Sequence, residues 1–248
     1  MCGAFVYVYV GGVRYQVIGS GIERAGIGEL VASRPELGSR YNIRPTQDVI
    51  TVVSEEDGRP VARPMRWGLI PSWEKPEKLP RNTFNARDDR LASSGMWRGP
   101  FSRSRGVVPA TGFFEWKKTD GSKQPMFISS KDGEILRFAA VYDSWINQNG
   151  DTVESCAIVT TGANYFMSSI HDRMPAILDE ETVELWLDPA TTSSDSLQSI
   201  LMPASDDLLK AVPVSTRVNS YKNDDPGLLE EVAEDVSAGT EGQLGLFD

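Results

Sequence analysis

The amino-acid sequence predicts an α+β fold. It reads as one domain built on a mixed, mostly antiparallel, barrel-like sheet with short flanking helices. Three observations predict it. Short β-rich runs recur along the chain and turn residues separate them. Helical segments are short and interspersed. Strands and helices do not alternate regularly, which argues against a doubly wound parallel sheet. At 248 residues, with 40% hydrophobic and 24% charged residues, the chain can bury a substantial core and is not a disordered polymer.

The elements follow in order. Residues 4–10 and 13–18 read as two strands around Gly11-Gly12, a hairpin signal. Residues 22–31 are weakly helical. Residues 48–53 and 61–66 form a second strand pair across the polar stretch 54–59, and 71–80 is a proline-punctuated loop. Residues 85–92 predict a short helix, with Asn85 placed to cap it. Residues 106–109 and 112–117 are strand-like, and Thr119-Asp120-Gly121 turns the chain into a strand at 126–129. The apolar runs 137–141 and 155–160 suit central strands. Helices are expected at 163–170, 180–187, 195–201 and 206–209. Beyond residue 228 the composition shifts to Glu, Asp, Gly and Ser. The expected organisation is therefore a domain of residues 1–228 and a flexible acidic tail of residues 229–248.

Composition narrows the function. No run of 18 apolar residues exists, so no spanning helix is expected. The N-terminus lacks a signal-peptide pattern, and two cysteines make no disulfide framework, so a reducing cytoplasm is expected. One histidine and two scattered cysteines do not supply a usual ligand set, so neither metal nor cofactor is expected. The net charge of -10 is uneven: residues 1–173 hold 22 Lys+Arg against 19 Asp+Glu, and residues 174–248 hold 3 against 16. The first part can therefore still offer a basic face to phosphate.

Several residues carry chemistry. Met1-Cys2-Gly3 is a substrate for removal of the leading methionine, which would leave Cys2 with a free thiol and a free α-amine. Such a 1,2-aminothiol can close a five-membered ring onto an aldehyde, and both groups titrate not far above neutrality. The alternative is a small apolar residue at a strand start. His171 is the only histidine, at a loop that Pro175 stiffens, where a proton shuttle is plausible. Glu115 stands in the apolar run Gly112-Phe113-Phe114-Glu115-Trp116. It either faces solvent or lies buried with a raised pKa. Arg81, Arg87, Arg90, Arg98, Arg103 and Arg105 are dense enough for a phosphate-tracking groove, although solvated arginines are common. Trp67 and Trp73 flank a stiff loop and serve either the core or a wedge against an unstacked base.

Together these residues resemble the SRAP family (SOS response-associated peptidase), the abasic-site shield proteins. The resemblance rests on motifs in one order: Met1-Cys2-Gly3, residues 41–47, 66–73, Asn85-Ala86-Arg87, 112–116, 170–178 and 214–219. It implies loss of Met1, binding of single-stranded DNA, and capture of a ring-opened abasic site as a thiazolidine crosslink on Cys2. It also implies that Asn85 orients the Cys2 end of the site. Glu115 would assist proton transfer and crosslink reversal, and His171 would move protons during sugar ring opening. Arg87 and Arg173 would contact phosphate, with Pro45, Trp67 and Trp73 in the region that holds DNA bent; Arg44, which stands before Pro45 in place of the family's usual small residue, would add charge for DNA there. The chain departs from the family pattern at Ala4, Arg44, Asp89 and Arg90, which bears on DNA affinity and not on ring closure. The family name further implies a hydrolase that processes its own Met1; nothing in the sequence supplies a pocket for general proteolysis. Two other readings stand beside it: a non-catalytic DNA-binding scaffold, and an amidotransferase with an N-terminal cysteine nucleophile. The tail sequence Gln243-Leu244-Gly245-Leu246-Phe247 looks like a sliding-clamp-binding peptide, through Gln243, Leu246 and Phe247. The expected state is a monomer.

Overall fold

Strand β10 (Thr152–Gly162) is the spine of the molecule in this computed structural model, which describes residues 4–7, 39–75, 79–119 and 121–233. Its run from Ser155 to Thr161 is buried, as expected of an apolar strand covered on both faces. On one edge it pairs antiparallel with β9 (Leu136–Ile146), and on the other parallel with β4 (Pro60–Trp67). From β4 the ladder runs through β3 (Asp48–Ser54) and β6 (Arg105–Ala110) back to β9. Five strands thus close into a barrel, which removes their exposed edges. The barrel holds the main core, including Val52, Val107, Phe138, Ala157 and Trp67.

Halfway along, β10 changes neighbours. Past Cys156 its partner β4 is replaced by β5 (Asn85–Arg87), in parallel register Ile158↔Asn85 and Thr160↔Arg87. Past Ile158 its partner β9 is replaced by β11 (Arg173–Pro175), in antiparallel register Thr160↔Pro175 and Gly162↔Arg173. The outer half of β10 therefore lies between two three-residue strands that carry Asn85, Arg87 and Arg173.

A second, antiparallel sheet has the order β12 (Leu209–Pro213), β8 (Ser122–Ser130), β7 (Gly112–Thr119), β1 (Ala4–Tyr7), β2 (Arg40–Ile43). Strand β7 lies between two cores. Phe113 enters the main one, and Phe114 enters a smaller one with Ala4, Val214, Val218 and Leu228. Side chains alternate along a strand, so Glu115 shares the face of Phe113.

The helices are short: α1 (Asp88–Leu91), α2 (Arg98–Arg103), α3 (Tyr165–Ser168), α4 (Glu180–Leu187) and α5 (Ser194–Ser199). Helix α4 starts in a capping box between Asp179 and Thr182 and buries Val183, Trp186 and Leu187. Arg105 joins this helix to the barrel. It is buried, and its guanidinium donates to the carbonyls of Phe101, Ser102, Trp186, Asp188 and Thr191. Arg105 is thus a structural strut and drops out of the phosphate-tracking set.

The structure corrects several expected elements. The helix expected over 85–92 is shorter, because Asn85–Arg87 is strand β5 and α1 begins at Asp88 without a side-chain cap. Asn85 has its backbone drawn into pairing with β10, and a tertiary ladder outweighs a local capping preference. The helix expected at 206–209 is a turn that leads into β12, where Leu209 pairs with Ser130. Strands β2 and β11 were not expected, being too short to carry a pattern. The elements expected at 13–18 and 22–31 lie outside the described residues. At the other end, Glu231 bridges to Val214 and the Val232 N–H donates to the Pro213 carbonyl at 2.9 Å, so backbone pairing runs past residue 228.

Candidate active site

Glu115 is the deepest titratable residue of the site. Only 2% of it is exposed, because β8 and β1 flank β7 on both edges and its face looks into the main core. Burial pushes its carboxyl above the usual carboxylate range, and the nearby His171 imidazole pulls the other way. The sequence left solvent and burial open; the structure places Glu115 in the interior, within electrostatic reach of His171.

His171 follows helix α3, whose start is capped by the Asn164 side chain accepting from the Met167 N–H. The His171 N–H donates to the Met167 carbonyl at 2.9 Å. The imidazole Nδ1 accepts from the Arg173 backbone N–H at 3.0 Å. An Asp172 carboxylate oxygen lies 2.9 Å from the same nitrogen, but Asp172 is 88% exposed.

Asn85 is buried on β5, opposite Ile158 of β10. The segment before it is tied to the barrel. The Phe84 carbonyl accepts from the Ile158 N–H at 3.0 Å and from the Trp67 indole Nε1–H at 2.7 Å. Trp67 is fully buried. A ring with no surface cannot stack on a base, so Trp67 supports the site from inside, and its expected place at the DNA is corrected. Trp73, at the far end of that loop, is 63% exposed. It borders a polar cavity of about 430 Å³ that Arg98 and Arg103 also line.

The arginines divide. Arg87 is exposed and makes a two-point pair with Asp89, at 3.0 and 2.7 Å, which holds Asp89 below the usual carboxylate range. Arg173 is mostly buried. Its Nη2 donates to Asp88 at 2.6 Å and to the Thr160 carbonyl, and its Nε donates to Thr160 Oγ1 at 3.2 Å. Arg44 donates from Nε to Asn42 Oδ1 at 2.8 Å and from Nη2 to the Val218 carbonyl, with its guanidinium 5.7 Å from the centre of the Trp116 ring. Arg44 thus braces the turn at residues 216–219. Pro45 occupies the second position of a tight turn closed by Gln47 N–H donating to the Arg44 carbonyl at 3.1 Å. Thr46 follows it with φ of 80°, a conformation that β-branched residues avoid.

Cys2 and the tail residues Gln243, Leu246 and Phe247 lie outside the described residues. The other cysteine, Cys156, is no rival nucleophile. It is buried beside the Thr51 hydroxyl, and burial pushes its thiol up to about 12. Among the described residues no group of three metal-binding side chains occurs, and no helix is long and apolar enough to cross a membrane. Sequence reasoning missed Asp88 and Thr160, which hold the Arg173 side chain, and Thr161, whose hydroxyl donates to Asp88. The only signal was an acidic residue directly after Asn85-Ala86-Arg87.

Comparison with known proteins decides the family. The model of the SOS response associated peptidase (SRAP) family matches residues 1–221. The chain belongs to the SRAP family. An SRAP relative, the abasic site processing protein YoqW of Bacillus subtilis, is 40% identical over 191 residues, which cover 77% of this chain and 85% of that one. The abasic site processing protein HMCES of Gallus gallus is 35% identical over 222 residues, which cover 80% of this chain and 63% of the longer relative. A crystal structure of a Bacteroides thetaiotaomicron protein shares the SRAP fold of this chain. It has a TM-score of 0.71 and 29% identity, and covers 78% of this chain and 85% of that one.

Proposed function

We propose that the protein processes abasic sites in single-stranded DNA by capturing the sugar aldehyde on Cys2 after Met1 is removed. The observation that carries the reading is the place where β1 enters the molecule. Ala4 pairs with Phe114, the residue beside Glu115. Two peptide links span at most about 7.6 Å between Cα atoms, so Cys2 is tethered to that position. A 1,2-aminothiol is thereby leashed to the neighbourhood of a buried carboxyl and an imidazole.

The chemistry then balances. His171 moves a proton to or from the hemiacetal so that the deoxyribose opens to its aldehyde. The Cys2 amine adds to C1′, and loss of water gives an imine. The Cys2 thiolate adds to the same carbon while a proton passes to nitrogen, which closes the thiazolidine. Glu115, protonated more readily than an ordinary carboxyl, delivers the proton that water loss requires and runs the same path backwards for release. Asn85 orients the reacting end from β5. Arg87 meets phosphate at the surface, and Arg173 has its Nη1 edge left to offer, because Nε and Nη2 are spent on Thr160 and Asp88. Trp73 is the exposed ring for stacking.

The test is incubation with single-stranded DNA that contains an abasic site. The expected product is a heat-stable crosslink that disappears in Cys2→Ser and when the N-terminus is blocked. An undiminished adduct in Cys2→Ala would assign trapping to lysine imines and sink this reading. The peptide of residues 243–247 is assigned to a sliding clamp. Fluorescence anisotropy checks it, and no binding at about 100 μM rejects it.

A further inference from the structure

We propose that Asp88 is a positioning residue that sets which ring nitrogen of His171 carries the proton. This rests on the catalytic reading above, in which that imidazole moves protons at the sugar.

Nδ1 of His171 faces two groups with opposite demands. The Arg173 backbone N–H, 3.0 Å away, donates to Nδ1 and needs a lone pair there. The Asp172 carboxylate, 2.9 Å away, needs a proton there. A neutral imidazole satisfies one or the other. Asp172 is 88% exposed, so water competes for its oxygens. The Arg173 amide is instead held in place from below. The Arg173 guanidinium is anchored to Asp88 Oδ1 at 2.6 Å and to both oxygens of Thr160. The second Asp88 oxygen accepts from the Thr161 hydroxyl at 3.0 Å. The two side chains are only 13% and 19% exposed, and a shielded, hydrogen-bonded ion pair of this kind fixes geometry. Asp88 thereby locks β11 against α1 and β10, and with it the amide that reads Nδ1.

With Nδ1 as acceptor, the neutral ring carries its proton on Nε2, which presents an N–H donor to the substrate. Without Asp88 the amide is no longer held, and the Asp172 carboxylate draws the proton to Nδ1. Nε2 then becomes an acceptor, the wrong form for donating a hydrogen bond to the sugar ring oxygen.

The chain has one histidine, so its ¹⁵N spectrum holds one pair of imidazole signals. Long-range ¹H–¹⁵N NMR of the neutral ring should show Nε2 protonated in the wild type. Asp88→Asn and Asp88→Ala should shift the proton toward Nδ1. Adding Asp172→Asn to Asp88→Ala should restore Nε2–H. Crosslinking should slow on the order of tenfold in the Asp88 variants, within the range of acid–base groups, and recover in the double variant. The isosteric Asp88→Asn carries the test should the alanine variant fail to fold. A wild-type ring protonated on Nδ1, or Asp88 variants with an unmoved proton, overturns the proposal. A wild type that forms no crosslink defeats the catalytic reading alone, since the nitrogen signals still report on Asp88.

Discussion

Glu115 shows how burial becomes chemistry at the scale of one residue. The folded chain holds its proton more tightly than the unfolded chain, because burial disfavours the carboxylate. The sign of the pH effect follows. Below the ordinary carboxylate range both states are protonated and the residue is neutral for stability. As pH rises through the raised folded value, the unfolded state gains by ionising first and stability falls. Glu115→Gln abolishes this loss. Urea denaturation should show the variant gaining on the wild type as pH rises above the ordinary carboxylate range, while its crosslinking slows by about tenfold or more. A difference that stays constant as pH rises would contradict the burial argument. Glu115 itself was legible in the sequence as a lone carboxyl in an aromatic run. Its burial was not, because alternation leaves either face of β7 free to be covered, and only the fold turns the face of Phe113 and Glu115 into the main core.

At the scale of elements, the loop from Trp67 to Asn85 separates two indoles that look alike in sequence. Trp67 ends β4 and is fully buried, while Trp73 is 63% exposed. Trp67→Ala should cost about 3–5 kcal/mol of folding stability by cavity formation. Trp73→Ala should leave the melting point nearly unchanged and weaken single-stranded DNA binding by about 1–3 kcal/mol, the worth of one base stack. Parallel denaturation and binding titrations check the pair, and equal losses in both assays would erase the distinction. The long strands β3, β4, β9 and β10 were readable as apolar β-rich runs. Two short strands of the site were not. β5 and β11 have three residues each and exist only because the outer half of β10 offers them a ladder. The order of the site residues was legible, but their convergence is a property of that ladder.

At the scale of the whole molecule, charge is segregated along the chain. Residues 234–248 carry four acidic residues and no basic one, and like charge opposes DNA at low ionic strength. A chain ending at Ala233 should bind single-stranded DNA more tightly than the full chain at low salt, with the difference closing as salt rises. Its crosslinking chemistry should be unaltered. Equal affinity at low salt would mean that the tail does not repel the strand. The charge asymmetry was plain from the sequence, as was the barrel-like sheet, whereas closure of five strands depends on the β10–β9 and β10–β4 pairings that no local pattern announces.

The change of neighbours along β10 also has a mechanical consequence. Its inner half is locked into a closed ring, while its outer half is held by two strands of three residues. Few hydrogen bonds need to break for the outer half to open, so amides at 159–162 should exchange with deuterium faster than those at 152–158. The end of the molecule that carries Asn85, Arg87 and Arg173 can therefore breathe while the barrel stays shut.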